Sequence, residues 1–260
     1  MALLRIENVG KNFGGLAAVD GVSFSVGEGE ILGLIGPNGA GKTTLFNLIT
    51  STFAPTGGRL LFRGESIAGL APHSIVRKGI CRTFQNIRLF PRMTALENIM
   101  VGRHPRSGAG IWEGVLRTRR QRDEEAEIRE KSGELLALMG LSGCGDLTAG
   151  KLPYGHQRRL EIARAMAAEP KLLLLDEPAA GMNESETREI QSLILAIRGM
   201  GVTVLLIEHD MPLVMKVCDR LVVLNFGRKI AEGVPAEIRA NPEVVEAYLG
   251  REEEGEDGDA

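Results

Sequence analysis

The apolar positions of this chain change their period along its length. Val22, Phe24 and Val26 alternate with Ser23 and Ser25, the period-two pattern of a strand with one packed face and one wet face. Leu60-Leu61-Phe62 is a second short strand, closed by the turn signal Arg63-Gly64. Together they predict an antiparallel opening. From Glu30 the texture differs. "EILGLIGPNGAGKTTLFNLIT" reads as an apolar strand, a glycine-rich turn and a helix. "KLLLLDEP" and "VTVLLIEHD" are short apolar runs of the kind buried on both faces of a parallel sheet. Residues 86–165 are mostly helical in pattern. Within them, residues 124–139 place Ile128, Leu135, Leu138 and Met139 on one side of a charged helix. "KLPYGHQRRLEIARAMA" (151–167) predicts a turn at Pro153 and Gly155, then a helix with Leu160, Ala163 and Ala167 packed and Arg158, Arg159 and Glu161 turned outward. "LVVLNFGRKIAEG" gives a strand, a turn at Phe226-Gly227 and another strand, and residues 241–250 a terminal helix capped by Gly250.

Composition narrows the class. The chain has 260 residues, 43% apolar and 25% charged, which suits a globular α/β domain. Its longest apolar runs fall far short of the roughly 18 residues that span a bilayer. The start, MALLRIENV, meets Arg5 too early for a signal peptide. The expectation is a cytoplasmic protein whose membrane contact runs through a partner. Cys81, Cys144 and Cys218 are far apart and form no CxxC pair, so reduced structural thiols are expected. His73, His104 and Trp112 belong to no motif and are read as structural or surface residues. The net charge of −3 resides in "REEEGEDGDA", whose six acids against Arg251 leave residues 1–250 at +2. That tail reads as solvated and disordered, and the absence of a basic stripe argues against a nucleic-acid partner.

Two motifs carry chemistry. Gly36-Pro37-Asn38-Gly39-Ala40-Gly41-Lys42-Thr43 fits G-x-x-x-x-G-K-[ST] between a strand and a helix. Its glycines let backbone N–H groups converge on phosphate oxygens, at the positive end of the following helix. Lys42 is placed to reach the β/γ-phosphates and the Thr43 hydroxyl to bind Mg²⁺. Leu172-Leu173-Leu174-Leu175-Asp176-Glu177 adds a carboxylate at a buried strand end. Asp176 is placed to hold Mg²⁺ through water, and Glu177 to act as general base on an attacking water.

With these motifs the chain resembles the ATP-binding subunits of ABC transporters over nearly its whole length, to about residue 250. The resemblance implies a P-loop NTPase fold: an α/β core with a mixed, mainly parallel sheet, an antiparallel β subdomain and a helical subdomain. Residues 1–250 would form one such domain, with 1–85 and 166–250 as the β subdomain and core and about 86–165 as the helical part; 251–260 would be the tail. It further implies that Phe13 stacks on adenine, that Gly36–Thr44 (including Thr44) is the phosphate loop, and that Gln85 in "RTFQNIRLF" ligates Mg²⁺ and senses the γ-phosphate. "LPYGH" is at the signature position, Ala180-Gly181-Met182-Asn183 is the loop after the acidic strand, and neutral His209 orients the water. The subfamily most similar is the LivG-type ATPase of branched-chain amino-acid uptake, through "CRTFQNIRLFPRMTALENIMVGRH", "RRLEIARAMAAEPKLLLLDEPAAGMN", "IEHDMPLVMKVCDRLVVLNFGRKIAEG" and "NPEVVEAYLG". It implies ATP and Mg²⁺, a second identical or paralogous ATPase, two transmembrane permeases, an external solute-binding protein and a place on the inner face of the cell membrane. Alternatives are an ATPase for amide or urea uptake, one for lipopolysaccharide transport, a soluble ABC protein, or a nucleotide-binding module without activity.

The signature departs from the common LSGGQ at Pro153, Tyr154 and His156. Tyr154 fits the LivG-type pattern. Pro153 lacks both a hydroxyl and an N–H, leaving Tyr154, Gly155 and His156 at the helix start to meet the nucleotide of a partner. An imidazole can change charge near neutral pH where an amide cannot, so His156 predicts a weaker and more pH-sensitive half-site than Gln would.

Overall fold

The computed structural model describes residues 2–103 and 119–249. His104, Trp112, Gly250 and the acidic tail lie outside them. The chain divides into two compact units, Met1–Ile75 with Leu174–Ala260, and Val76–Leu173. The second is wider than the 86–165 stretch that the helical pattern marks.

In the first unit, β1 (Ala2–Phe13) pairs antiparallel with β2 (Leu16–Gly27) and β4 (Gly57–Phe62), and β4 with the short β5 (Glu65–Ser66). Val22, Phe24 and Val26 are buried, as their alternation predicts. A second sheet runs β10-β9-β3-β8-β7. Here β3 (Ile31–Ile35) lies parallel to both β8 (Thr203–Ile207) and β9 (Arg220–Asn225). β7 (Leu172–Asp176), which begins in the second unit, and β10 (Arg228–Gly233) also belong to it. Every residue of β3, β7 and β8 is buried, which is why these strands read as unbroken apolar runs. β9 and β10 form a two-residue hairpin whose Phe226 and Gly227 both have positive φ, 44° and 79°, the twist that a tight hairpin needs. The helices α1 (Lys42–Ile49), α6 (Glu184–Gly199), α7 (Met211–Val217), α8 (Pro235–Ala240) and α9 (Pro242–Leu249) belong to this unit.

The second unit holds α2 (Pro72–Lys78), which begins in the first, then β6 (Ile80–Arg82), α3 (Ala95–Arg103), α4 (Arg119–Leu138) and α5 (Tyr154–Met166). α3 and α5 approach closely, since a Cβ on Gly102 would lie 2.2 Å from the Arg164 carbonyl oxygen. Within the mostly helical 86–165 stretch, residues 86–94 form no helix: Phe90 N–H and C=O bond to the Asn98 side chain and Arg88 N–H to that of Glu161. Two sequence expectations are corrected here. Leu138 at the end of α4 is exposed, and Leu136 is buried in its place beside Ser132 and Met139. Arg158 and Glu161 do not point outward. Both are buried, at 0% and 1% side-chain exposure, as an ion pair.

Candidate active site

The phosphate loop joins β3 to α1. Gly36 and Gly41 have φ of 146° and 100°. A Cβ on Gly36 would stand 2.1 Å from the Leu224 carbonyl oxygen in β9, and one on Gly41 2.5 Å from that of Ala18. Both positions are therefore glycine because neighbouring backbone leaves no space, independently of any ligand. Ala40 N–H closes a turn on the Pro37 carbonyl (3.2 Å), and Gly227 N–H ties the Ala40 carbonyl to the β9–β10 hairpin (3.0 Å). Pro37 and Ala40 are buried; Asn38 and Gly39 are exposed. Lys42 is buried, and its Nζ donates to the carbonyls of Gly36 (2.6 Å) and Pro37 (2.9 Å), so the cation sits within the curve of the loop. α1 has no side-chain cap. Its first bond is Leu45 N–H to Gly41, which leaves its opening amides aimed toward the loop. Thr43 is exposed in that first turn and Thr44 is half-buried.

The acids reach the same edge of the sheet. Leu34 in β3 pairs with Ile207 in β8, and the Ile207 carbonyl accepts from Glu177 N–H at 2.9 Å. Parallel strands thus bring the starts of three loops together at their C-terminal ends: the phosphate loop, the Glu177 turn and the His209 turn. Asp176 is buried at the end of β7. Glu177 sits at φ 47°, a left-handed conformation uncommon for a side chain of its size. Its Oε1 lies 3.0 Å from His209 Nε2, with the Glu177 side chain 16% and that of His209 42% exposed. A carboxylate facing an imidazole beside a phosphate-binding turn can take a proton from water and keep its orientation as it does so.

Phe13 lies at the end of β1 in the same unit. It is 43% exposed, with its ring in edge contact with Phe53 (5.3 Å, 81°) and Lys11 Nζ 5.1 Å from its centroid. An aromatic ring held at its edge and open to solvent can stack on a base.

The remaining candidates belong to the second unit. Pro153 precedes α5 without a side-chain cap, and the first helical bond is Gln157 N–H to Pro153 (3.0 Å). The amides of Tyr154, Gly155 and His156 thus open the helix. Tyr154 is 47% exposed, Gly155 is buried, and His156 Nδ1 is 3.8 Å from Cys144 Sγ. Gln85 is exposed, and its carbonyl accepts from Arg158 Nη2 at 2.7 Å.

Among the described residues, Glu208, Arg158 and Glu161 are buried charges that the sequence reading did not find. Glu208 accepts from Ala179 N–H at 2.7 Å and His209 N–H at 3.1 Å, fixing both turns that flank Glu177. Burial pushes its carboxyl above the usual carboxylate range, against the opposing pull of those amides. Arg158 and Glu161 are the others. Their i,i+3 spacing in "RRLE" is the one trace they leave in sequence. The loop after Glu177 turns at Gly181 (φ 75°) and enters α6 through Asn183, whose side chain accepts from Ser185 and Glu186 N–H while Glu186 returns a bond, a reciprocal cap.

Comparison with known proteins places this geometry. The ABC transporter family matches residues 19–180, and the branched-chain amino acid ATP-binding cassette transporter family residues 228–254. BraF of Pseudomonas aeruginosa, named a high-affinity branched-chain amino acid transport ATP-binding protein, is 48% identical over 95% of this chain and 98% of its own. LivG of Salmonella typhimurium, of the same description, is 47% identical over the same shares. A crystal structure of a nucleotide-free ATP-binding cassette from an ABC transporter superposes with a TM-score of 0.83 at 36% identity, covering 95% of this chain and 99% of that one. A related cassette in its ADP conformation gives 0.83 at 35%, covering 96% and 99%. Identity of this extent along almost the full length of both chains, on a shared architecture, means that this chain belongs to the ATP-binding cassette ATPases of ABC transporters.

Proposed function

We propose that this chain is the ATP-hydrolysing subunit of an importer for branched-chain amino acids, seated on the inner face of the membrane. It would pair with an identical or paralogous ATPase, bind two permease subunits and respond through them to an external solute-binding protein. The names of the relatives and the match over residues 228–254 support the solute class. Among the described residues no helix is long and apolar enough to cross a membrane, which fits attachment through permeases.

The observation that carries the hydrolytic reading is the 3.0 Å contact of Glu177 with His209 at the sheet edge that bears the phosphate loop. In this reading the loop amides and Lys42 hold the β- and γ-phosphates, and Phe13 stacks on the base. Glu177 accepts the proton of the attacking water. An imidazole with its proton on Nε2 donates to Glu177 and holds that carboxylate aimed. Thr43, Asp176 and Gln85 are the residues that would hold Mg²⁺, and they offer the hard oxygen donors that it takes. When bound, the ion neutralises charge on the phosphate oxygens. Tyr154, Gly155 and His156 would meet the nucleotide held by the second ATPase. ATP then favours the closed pair by touching both halves, and hydrolysis removes that preference.

A strain lacking this chain is expected to lose uptake of labelled leucine, with recovery on supplying the wild type but not Glu177→Gln. Unchanged leucine uptake, with loss of another solute's uptake, would overturn the assignment of the solute.

A further inference from the structure

Arg158 and Glu161 lie within the second unit, one turn into α5, and are almost wholly buried, with Nη1 3.1 Å from Oε2. Such a pair gains little stability over apolar residues of the same volume. Arg158 Nε is buried without a hydrogen-bond partner, and burial pushes the Glu161 carboxyl above its ordinary range. What the pair does, and an apolar pair could not, is hold a stretch of backbone that lacks regular secondary structure. Arg158 Nη1 donates to the Phe84 carbonyl (2.6 Å) and Nη2 to that of Gln85 (2.7 Å). Glu161 Oε1 accepts from the N–H groups of Arg88 (3.1 Å) and Phe84 (3.4 Å). The same Nη2 also donates to the Tyr154 hydroxyl at 3.2 Å.

We propose that Tyr154, through Arg158, sets the position of Gln85. One guanidinium nitrogen serves both the signature tyrosine and the Gln85 carbonyl, and the guanidinium is a rigid planar fork. A displacement of Tyr154 by a neighbouring subunit is therefore passed to the backbone that carries Gln85. Arg158 and Glu161 are positioning residues and touch no substrate. The signature's tyrosine has a task in its own subunit besides facing the partner. This relay rests on the roles given to Tyr154 and Gln85 under Proposed function.

A double-mutant cycle on the ATPase activity of the full chain tests it, with monomer ATP affinity measured alongside. Tyr154→Phe keeps the ring and removes the hydroxyl. It is expected to lower kcat by about threefold or more in the native background, and by less than about 1.5-fold in a Gln85→Ala background, because contacting residues couple. Monomer affinity for ATP stays unchanged. Multiplying effects, or no effect in either background, would overturn the relay. Amide exchange gives a readout apart from activity. Arg158→Lys keeps the charge and loses the fork, and should speed exchange at Phe84 and Arg88 by about tenfold; unchanged protection would refute the clamp. Gly155→Asp separates the two readings. It is expected to abolish the ATP-driven dimer of the Glu177→Gln chain. A dimer that persists would overturn the dimer reading itself, whatever amide exchange shows of the clamp.

Discussion

Gly36→Ala is the perturbation whose cost the structure fixes most directly. The new Cβ would lie 2.1 Å from the Leu224 carbonyl oxygen and 3.0 Å from its carbon. Both are backbone atoms of β9, an inner strand held between β10 and β3, so no rotamer change relieves the overlap. The backbone at φ 146° is also a region open essentially to glycine, at a cost of about 1–3 kcal/mol for other residues. Displacing the strand adds about 1–3 kcal/mol of overpacking. The sum, about 2–6 kcal/mol, is a large part of a typical total of about 5–15 kcal/mol. At about 2–4 °C per kcal/mol, melting should fall by at least about 4 °C. Calorimetry without nucleotide is the assay, since it separates folding from lost phosphate contacts. Gly199→Ala is the control. A Cβ there, at the end of α6, meets nothing within 4 Å, and alanine is favoured in helices by about 0.5–1 kcal/mol. If Gly36→Ala melts within about 1 °C of the wild type, the loop does not pack against β9 as described.

Lys42→Met removes the cation from the curve of the phosphate loop; charge-assisted bonds of about 1.5–3 kcal/mol imply an ATP affinity roughly 10- to 100-fold weaker in a fluorescence titration, and an unchanged affinity would refute its role. Burial, with smaller contributions from Asp219 and Glu208, pushes the Cys218 thiol up to about 12, so iodoacetamide at mildly alkaline pH should spare Cys218 and the buried Cys81. It should label the half-buried Cys144, and rapid native labelling of Cys218 would contradict its packing.

The strands and the phosphate loop were legible because each rests on local pattern. β3, β7 and β8 are unbroken apolar runs, and the glycines at 36, 39 and 41 announce a turn that excludes side chains. The meeting of Glu177 with His209, 32 positions apart, is not local: it follows from parallel register between strands and leaves no period in the sequence. The helix at 154–166 shows where periodicity misleads. Arg158 and Glu161 were placed on the wet face because charge normally is, yet this helix buries them to hold backbone that has no secondary structure of its own. Glu208 was hidden for the same reason, since a carboxylate that bonds to amides of neighbouring turns leaves no period in sequence.

The most direct test of the hydrolytic site is Glu177→Gln, with ATP binding, turnover and oligomeric state measured on the same protein. The contact with His209 at the phosphate-loop edge predicts ATP affinity near that of the wild type, turnover reduced by about 10²–10⁴-fold for loss of a general base, and a dimer that persists while ATP is present. Turnover within about twofold of the wild type would remove Glu177 from the reaction and contradict the mechanism at its centre.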